Sequence, residues 1–202
     1  AETSEPKQAS KAAGNNLTLK MAGFGGQGIL LLGQIVAEMG MREGLEVSWL
    51  PSYGPEMRSG SAHCHVCLAE ERIGSPLISH PDVLIAMNEL SLRKFAPQVK
   101  SGGLILYNRS ELPAGFEMPQ ARVVCVPASD LADQIGTAKV ANSVMLGALM
   151  AETELLTEES ALSVVLSTLG AKAKSASVLE MNRRALQAGR EFMHKAATPV
   201  QS

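Results

Sequence analysis

Aromatic residues are scarce. Phenylalanine, tyrosine and tryptophan make up 3% of the 202 residues, too few for the ring platforms on which nucleic-acid bases stack. Basic surplus is lacking too. The formal net charge is −2, so no positive field gathers nucleic-acid phosphates or an anionic membrane surface. No apolar run is long enough to span a bilayer, and no basic head followed by an apolar stretch marks a signal peptide. The three cysteines, Cys64, Cys67 and Cys125, are an odd, small set that fits free thiols in a reducing cytoplasm. They are too few for a self-contained four-cysteine iron–sulfur cluster. Catalytic signatures are missing as well: there is no G-x-S-x-G elbow, no P-loop lysine and no defensible Ser–His or Cys–His pair.

What is present is enough for one domain. Hydrophobic residues make up 46%, which excludes wholesale disorder, and with so few rings the core must be aliphatic and methionine-rich. Residues 1–16 are polar and small, carry Lys7 and Lys11, and are expected to form a tail outside the fold. Residues 17–195 are expected to form a single domain, and 196–202 a second short tail.

The most informative stretch is Met21-Ala22-Gly23-Phe24-Gly25-Gly26-Gln27-Gly28 with the apolar run Ile29 to Leu32 behind it. Leu17–Ala22 reads as a strand and a helix begins near Gly28, so Gly23, Gly25 and Gly28 satisfy G-x-G-x-x-G in a strand–turn–helix setting. Residues without Cβ let the chain turn sharply and let a ligand reach the main chain. The amide groups and positive end of the helix favour a phosphate or another anion. A dinucleotide site also wants an acid closing the second strand, to hold a ribose. Here that strand, Leu45–Leu50, opens near Glu46 and runs into Pro51-Ser52-Tyr53, so nicotinamide binding is disfavoured. A phosphate-bearing ligand, a docking surface and a turn that merely packs helix on strand remain open.

Strand and helix alternate along most of the chain. Further strands are expected at Ser61–Glu70, Asp82–Met87, Leu104–Tyr107 and Arg122–Val126. Helices are expected at Gly28–Glu43, Glu89–Val99, Ser129–Ile135, Val140–Ala151, Thr157–Leu169 and Val178–Lys195. Ser129 or Asp130 should cap the third of these, and Gly44 should cap the end of the first. The alternation predicts an α/β fold: a Rossmann-like, doubly wound, mainly parallel sheet with C-terminal helices. Ser61–Glu70 and a return segment at Ile73–Pro76 suggest a β-hairpin insertion.

Two further stretches bear on function. The loop Tyr53-Gly54-Pro55-Glu56-Met57-Arg58-Ser59-Gly60 follows the second strand at the carboxyl edge, where ligands bind in such sheets. Arg58 could grip a phosphate or carboxylate and Tyr53 could pack on a ring; the alternative is a structural turn with solvated charges. In His63-Cys64-His65-Val66-Cys67, strand alternation sends Cys64 and Cys67 to opposite faces, while His63, His65 and Cys67 share one. No fourth ligand is evident, so a structural zinc site is not expected, and a strand face packed on another subunit is the better reading. His80 and His194 read as solvated, and Asn142 as a cap or turn residue.

Taken in order, Gly23–Gly28, Ser52–Gly60, Ile73–Pro76, Asp82–Asn88, Ala141–Ala148 and Asn182–Gly189 resemble the gamma subunit, or fused gamma domain, of 2-oxoacid:ferredoxin oxidoreductases, nearest to the 2-oxoglutarate or related ketoacid type. The resemblance spans about Leu17 to Phe192. One departure is Arg58-Ser59-Gly60 where the family usually has Arg-Gly-Gly. The resemblance implies an enzyme that oxidatively decarboxylates a 2-oxoacid with thiamine diphosphate, passes electrons through iron–sulfur clusters to ferredoxin, and hands the acyl group to coenzyme A. It implies alpha and beta partner subunits, with a ferredoxin-like delta subunit as a further partner. Thiamine and clusters are expected on those partners, since this chain lacks a G-D-G diphosphate motif and cluster cysteines. This subunit is then expected to be non-catalytic and to assist coenzyme A binding and assembly, through Gly23, Phe24, Gly25, Gly26, Gln27 and Gly28 with Tyr53 and Arg58. Alternatives are a purely structural docking subunit and the small subunit of an indolepyruvate oxidoreductase.

Overall fold

The computed structural model describes residues 16–52, 61–168 and 176–197. Six strands, β1 (Asn16–Phe24), β2 (Glu46–Pro51), β3 (Ser61–Ala69), β4 (Val83–Ala86), β5 (Leu104–Tyr107) and β6 (Arg122–Cys125), form one sheet in the order β2-β3-β1-β4-β5-β6. The pairs β1–β4, β4–β5 and β5–β6 are parallel, and β3 is antiparallel to both β1 and β2. Five strands therefore run the same way and β3 alone is reversed, so the sheet is mainly parallel, as expected. The hairpin is built differently from the expectation. β3 pairs back onto β2 and wedges itself beside β1, while Ile73–Pro76 forms no strand. Pro76 and the Gly74-Ser75 pair make a poor ladder, and β3 already has a partner along each edge.

Helices α1 (Ile29–Arg42), α2 (Glu89–Phe95), α3 (Ala128–Ile135), α4 (Ala141–Met150), α5 (Glu158–Thr168) and α6 (Ala176–Ala197) cover the two faces unequally. One face, with Leu19, Met21, Cys64, Val66, Val83, Ile85 and Leu106, packs under α1 and α3 to α6. The other, with Ala22, Leu84, Ala86, Ile105 and Tyr107, meets α2 and the 3-10 turn Ala96–Gln98 that follows it. Pro97 at the start of that turn shortens α2 relative to the expected Glu89–Val99.

Small residues bring the layers together. A side chain at Gly33 would strike Cys64 Sγ and come within 2.9 Å of Trp49 Nε1, so α1 lies close on β2 and β3 only because that residue is glycine. The same holds where α4 crosses α6: a Cβ on Gly147 would collide with the Leu186 carbonyl, and one on Gly189 with the Val144 carbonyl. α1 ends as expected at Gly44, which has φ 78°; Leu45 N–H donates to Gly40 O at 3.0 Å.

Candidate functional site at the carboxyl edge of β1

β1 delivers its last residues to the carboxyl edge of the sheet, between the reversed β3 and the parallel β4. Gly23 is buried there, and a Cβ on it would sit 2.8 Å from Gln27 Oε1 and from Ile29 Cγ1. The chain then turns at once: Gln27 N–H donates to Phe24 O at 3.1 Å. Gly26 and Gly28 take φ of 89° and 70°, values open to glycine and costly to other residues. Phe24, Gly25 and Gly26 are exposed, and a Cβ built on Gly26 would meet nothing within 4 Å.

Side chains hold the turn in place. Gln27 folds back so that its Oε1 accepts from Phe24 N–H at 2.6 Å and from Asn88 Nδ2 at 3.1 Å, while its Nε2 donates to Met87 O at 3.3 Å. Its main-chain carbonyl accepts from Asn142 Nδ2 at 2.9 Å. Thus β1, the end of β4 and the start of α4 are laced together through one residue.

The head of α1 is electrostatically open. Gly28 caps it without a side-chain hydrogen bond, and no acid occupies its first turn. The intrahelical ladder starts with Leu32 N–H donating to Gly28 O at 2.8 Å, so the amides before it have no acceptor within the helix. Exposed glycine main chain, uncapped amides and the positive helix end together suit a ligand bearing an anion or hydrogen-bond acceptors.

The expected residues Gly23, Phe24, Gly25, Gly26, Gln27 and Gly28 come together in this turn. Gln27 serves with its side chain as the internal brace just described. Tyr53 and Arg58 lie outside the described residues. The described ends of their loop stand beside the turn: Ser52 N–H donates to His63 O at 2.9 Å, and Ser61 is the register partner of Phe24.

Asn88, Asn108 and Asn142 are not among the site residues expected from the sequence, yet each holds an element at this edge. Asn88 and Asn108 lie just past β4 and β5, and both are buried. Asn88 Oδ1 accepts from Ser91 N–H at 2.8 Å and caps α2; an asparagine directly before Glu89 is a readable cap signal. Asn108 corrects an expectation. α3 starts after Pro127 without a side-chain cap of its own. Its Ser129 N–H instead donates to Asn108 Oδ1 at 3.0 Å, and Asn108 Nδ2 donates to Ser129 Oγ at 2.9 Å. A cap supplied from a different strand leaves no trace in local sequence.

His63, His65 and Cys67 share a face, opposite Ala22, Lys20 and Thr18 of β1. Their surroundings are those of packing. The His63 ring lies 5.1 Å from that of Phe95, and Lys20 Nζ sits 4.2 Å over the same ring while donating to Gln98 Oε1 at 2.6 Å. Burial, then Lys94, lowers the Lys20 ammonium from its ordinary value. His65 has both ring nitrogens buried without a hydrogen-bond partner. Burial, then Lys20, then His63 push its imidazole down to about 4. On the opposite face, burial pushes the Cys64 thiol up to about 12, and Cys64 Sγ donates to Ile29 O at 3.7 Å. Among the described residues no three His, Cys, Asp or Glu side chains are grouped to hold a metal ion.

A broad hollow of about 970 Å³ opens at the other, amino end of the sheet, lined by Glu70, Glu152, Glu154 and Glu158 with Arg190 and His194. Its acidity makes it a poor host for an anion. No described helix is long and apolar enough to cross a membrane.

A family model described as Pyruvate ferredoxin/flavodoxin oxidoreductase matches residues 18–192. The chain is 44% identical over 175 residues to the ketoisovalerate oxidoreductase subunit VorA of Methanothermobacter thermautotrophicus, covering 86% of this chain and 36% of that protein. It thus spans little more than a third of that relative. Among solved structures, the gamma subunit of a keto/oxoacid ferredoxin oxidoreductase from Geobacter sulfurreducens superposes with a TM-score of 0.74 at 29% identity, over 89% of this chain and 99% of that one. The 2-oxoglutarate:ferredoxin oxidoreductase from Magnetococcus marinus, solved with 2-oxoglutarate, coenzyme A and succinyl-CoA bound, superposes with a TM-score of 0.80 at 26% identity, over 91% of this chain and 32% of that one.

Proposed function

Because this chain belongs to the Pyruvate ferredoxin/flavodoxin oxidoreductase family, we propose that it is the gamma component of a 2-oxoacid:ferredoxin oxidoreductase and that its glycine turn helps to bind coenzyme A. The observation that carries this is the exposed main chain of Gly25 and Gly26 at the uncapped head of α1, with open space over Gly26. The residues fit such a carrier. Its phosphates are anions suited to a helix N-terminus, and its pantetheine amides can pair with backbone groups. When bound, coenzyme A supplies the thiol that receives the acyl group. This chain supplies main-chain donors and a rigid floor.

Thiamine diphosphate and iron–sulfur clusters do not fit here. Three cysteines and no G-D-G motif make neither site. In this reading both groups, and the redox chemistry, reside on alpha and beta partners, with a ferredoxin-like delta component as a further carrier, in the cytoplasm. The acid most favoured is a branched-chain 2-oxoacid, since the ketoisovalerate relative shares 44% identity and a 2-oxoglutarate synthase subunit, KorC of Methanothermobacter marburgensis, 30%. 2-Oxoglutarate, expected from the sequence, is the competing substrate. Turnover of each acid by the assembled complex separates them.

The test of the turn is Gly25→Val in that complex. The β-branched side chain should obstruct the main chain and raise the apparent KM for coenzyme A, leaving the KM for the 2-oxoacid unchanged. Unaltered coenzyme A kinetics in an intact complex would overturn the proposal. A docking role has its own support: Phe24, Leu31 and Leu90 are 43%, 37% and 55% exposed although apolar, in the turn and in the first turns of α1 and α2. If docking is the whole task, Gly25→Val weakens assembly and leaves coenzyme A affinity as it was.

A further inference from the structure

The peptide between Gln27 and Gly28 is held from outside its own turn. Asn142, which donates to its carbonyl, is 115 residues away in sequence. It stands in the first turn of α4, which is buried from Ser143 to Met150 and pressed against α6 through Gly147 and Gly189. The next side chain, Ser143, donates to Asn182 Oδ1 at 2.6 Å, and Asn182 Nδ2 donates to Val178 O at 2.8 Å. Asn142 is therefore mounted on a tightly packed part of the core.

A peptide unit is planar and trans, so its C=O and N–H point in opposite directions. Tethering the Gln27 carbonyl to Asn142 aims the Gly28 N–H away from α4. Gly28 has φ 70° and ψ 23°. Glycine accepts either sign of φ, so without the tether this peptide can turn over. The two residues also need each other sterically, because a Cβ on Gly28 would collide with Asn142 Nδ2. Asn142 Oδ1 is buried and has no partner, so this amide is fastened through its Nδ2 bond to the turn.

We propose that Asn142 is a positioning residue for coenzyme A: by holding the Gln27 carbonyl it fixes the direction of the Gly28 N–H at the head of α1, and with it the affinity of the glycine turn. The proposal rests on the turn being the coenzyme A site. Its test is steady-state kinetics of the assembled complex, varying coenzyme A at saturating 2-oxoacid, for Asn142→Ala, Asn142→Asp and Asn142→Ser beside Gly25→Val. Asn142→Ala removes the donor. Asn142→Asp keeps the shape and repels the carbonyl. Each should raise the apparent KM for coenzyme A roughly five- to tenfold, about one net hydrogen bond, while kcat at saturating coenzyme A stays constant. Asn142→Ser retains a hydroxyl donor and should recover part of the affinity. A side chain needed only for folding would lower the yield of active complex and leave the KM alone. If Gly25→Val raises the KM and the Asn142 variants do not, the positioning role is wrong and the site assignment stands. If none of the four moves it, both are wrong.

Discussion

At His65, burial and two neighbouring bases act in the same direction. The imidazole is held neutral down to about 4, against an ordinary value of 6.5. Between those limits the unfolded chain takes up a proton that the folded chain refuses, so stability is complete above about pH 6.5 and is lost as the pH falls toward 4. The slope is at most about 1.4 kcal/mol per pH unit. His65→Leu should flatten this part of the pH–stability curve, measured by thermal unfolding at stepped pH; an unchanged slope would assign the loss to other groups. Asn108 gives a second residue-scale prediction. Asn108→Ala removes the cap of α3 and leaves its amide unmet, which should cost about 1–2 kcal/mol in denaturant unfolding. Asn108→Ala unfolding like the parent would show that water replaces the cap.

Among the elements, the α4–α6 crossing is the least tolerant. An alanine in a helix ordinarily stabilises by about 0.5–1 kcal/mol relative to glycine. At Gly147 and Gly189 the added methyl meets backbone carbonyls, which cannot rotate aside as side chains do. Either substitution should therefore destabilise, by about 1–3 kcal/mol or more, as overpacking does. Gly74→Ala, with nothing within 4 Å of its Cβ, is the matched control and should change stability by less than about 0.5 kcal/mol. Because α4 also carries Asn142, Gly147→Ala should disturb the glycine turn as well. The hairpin is instructive at the same scale. The period-two pattern of Ser61–Glu70 marked a strand, and its boundaries hold to within a residue. Its partner could not be read from a neighbouring segment, because pairing is settled by which edge is free: β3 fits between β1 and β2, and Ile73–Pro76 has no edge to join.

For the molecule as a whole, the unequal cover of the sheet matters most. α1 and α3 to α6 close one face, while α2 and its 3-10 turn close part of the other. The glycine turn is left at the rim, with exposed Phe24, Leu31 and Leu90. A chain with three cysteines and no thiamine motif should reduce no ferredoxin by itself. Mixed alone with a 2-oxoacid, coenzyme A and oxidised ferredoxin, it should show no turnover, and adding the proposed alpha and beta partners should produce it. Unaided turnover would refute the division of labour proposed here.

Local chemistry in the chain was sufficient for the alternation of strands and helices, for the parallel sheet and for the glycine turn. Each of these depends on residues a few positions apart: period-two apolar runs, capping glycines, and Gly23 to Gly28 in a row. The tertiary structure alone decided that β3 lies reversed beside β1, that Asn108 caps a helix it does not belong to, and that Asn142 braces a turn 115 residues before it. Those three facts join segments remote in sequence. Their partners are selected by packing: by which sheet edge is open, which amide is left unpaired, and which helix can approach closely enough to reach it.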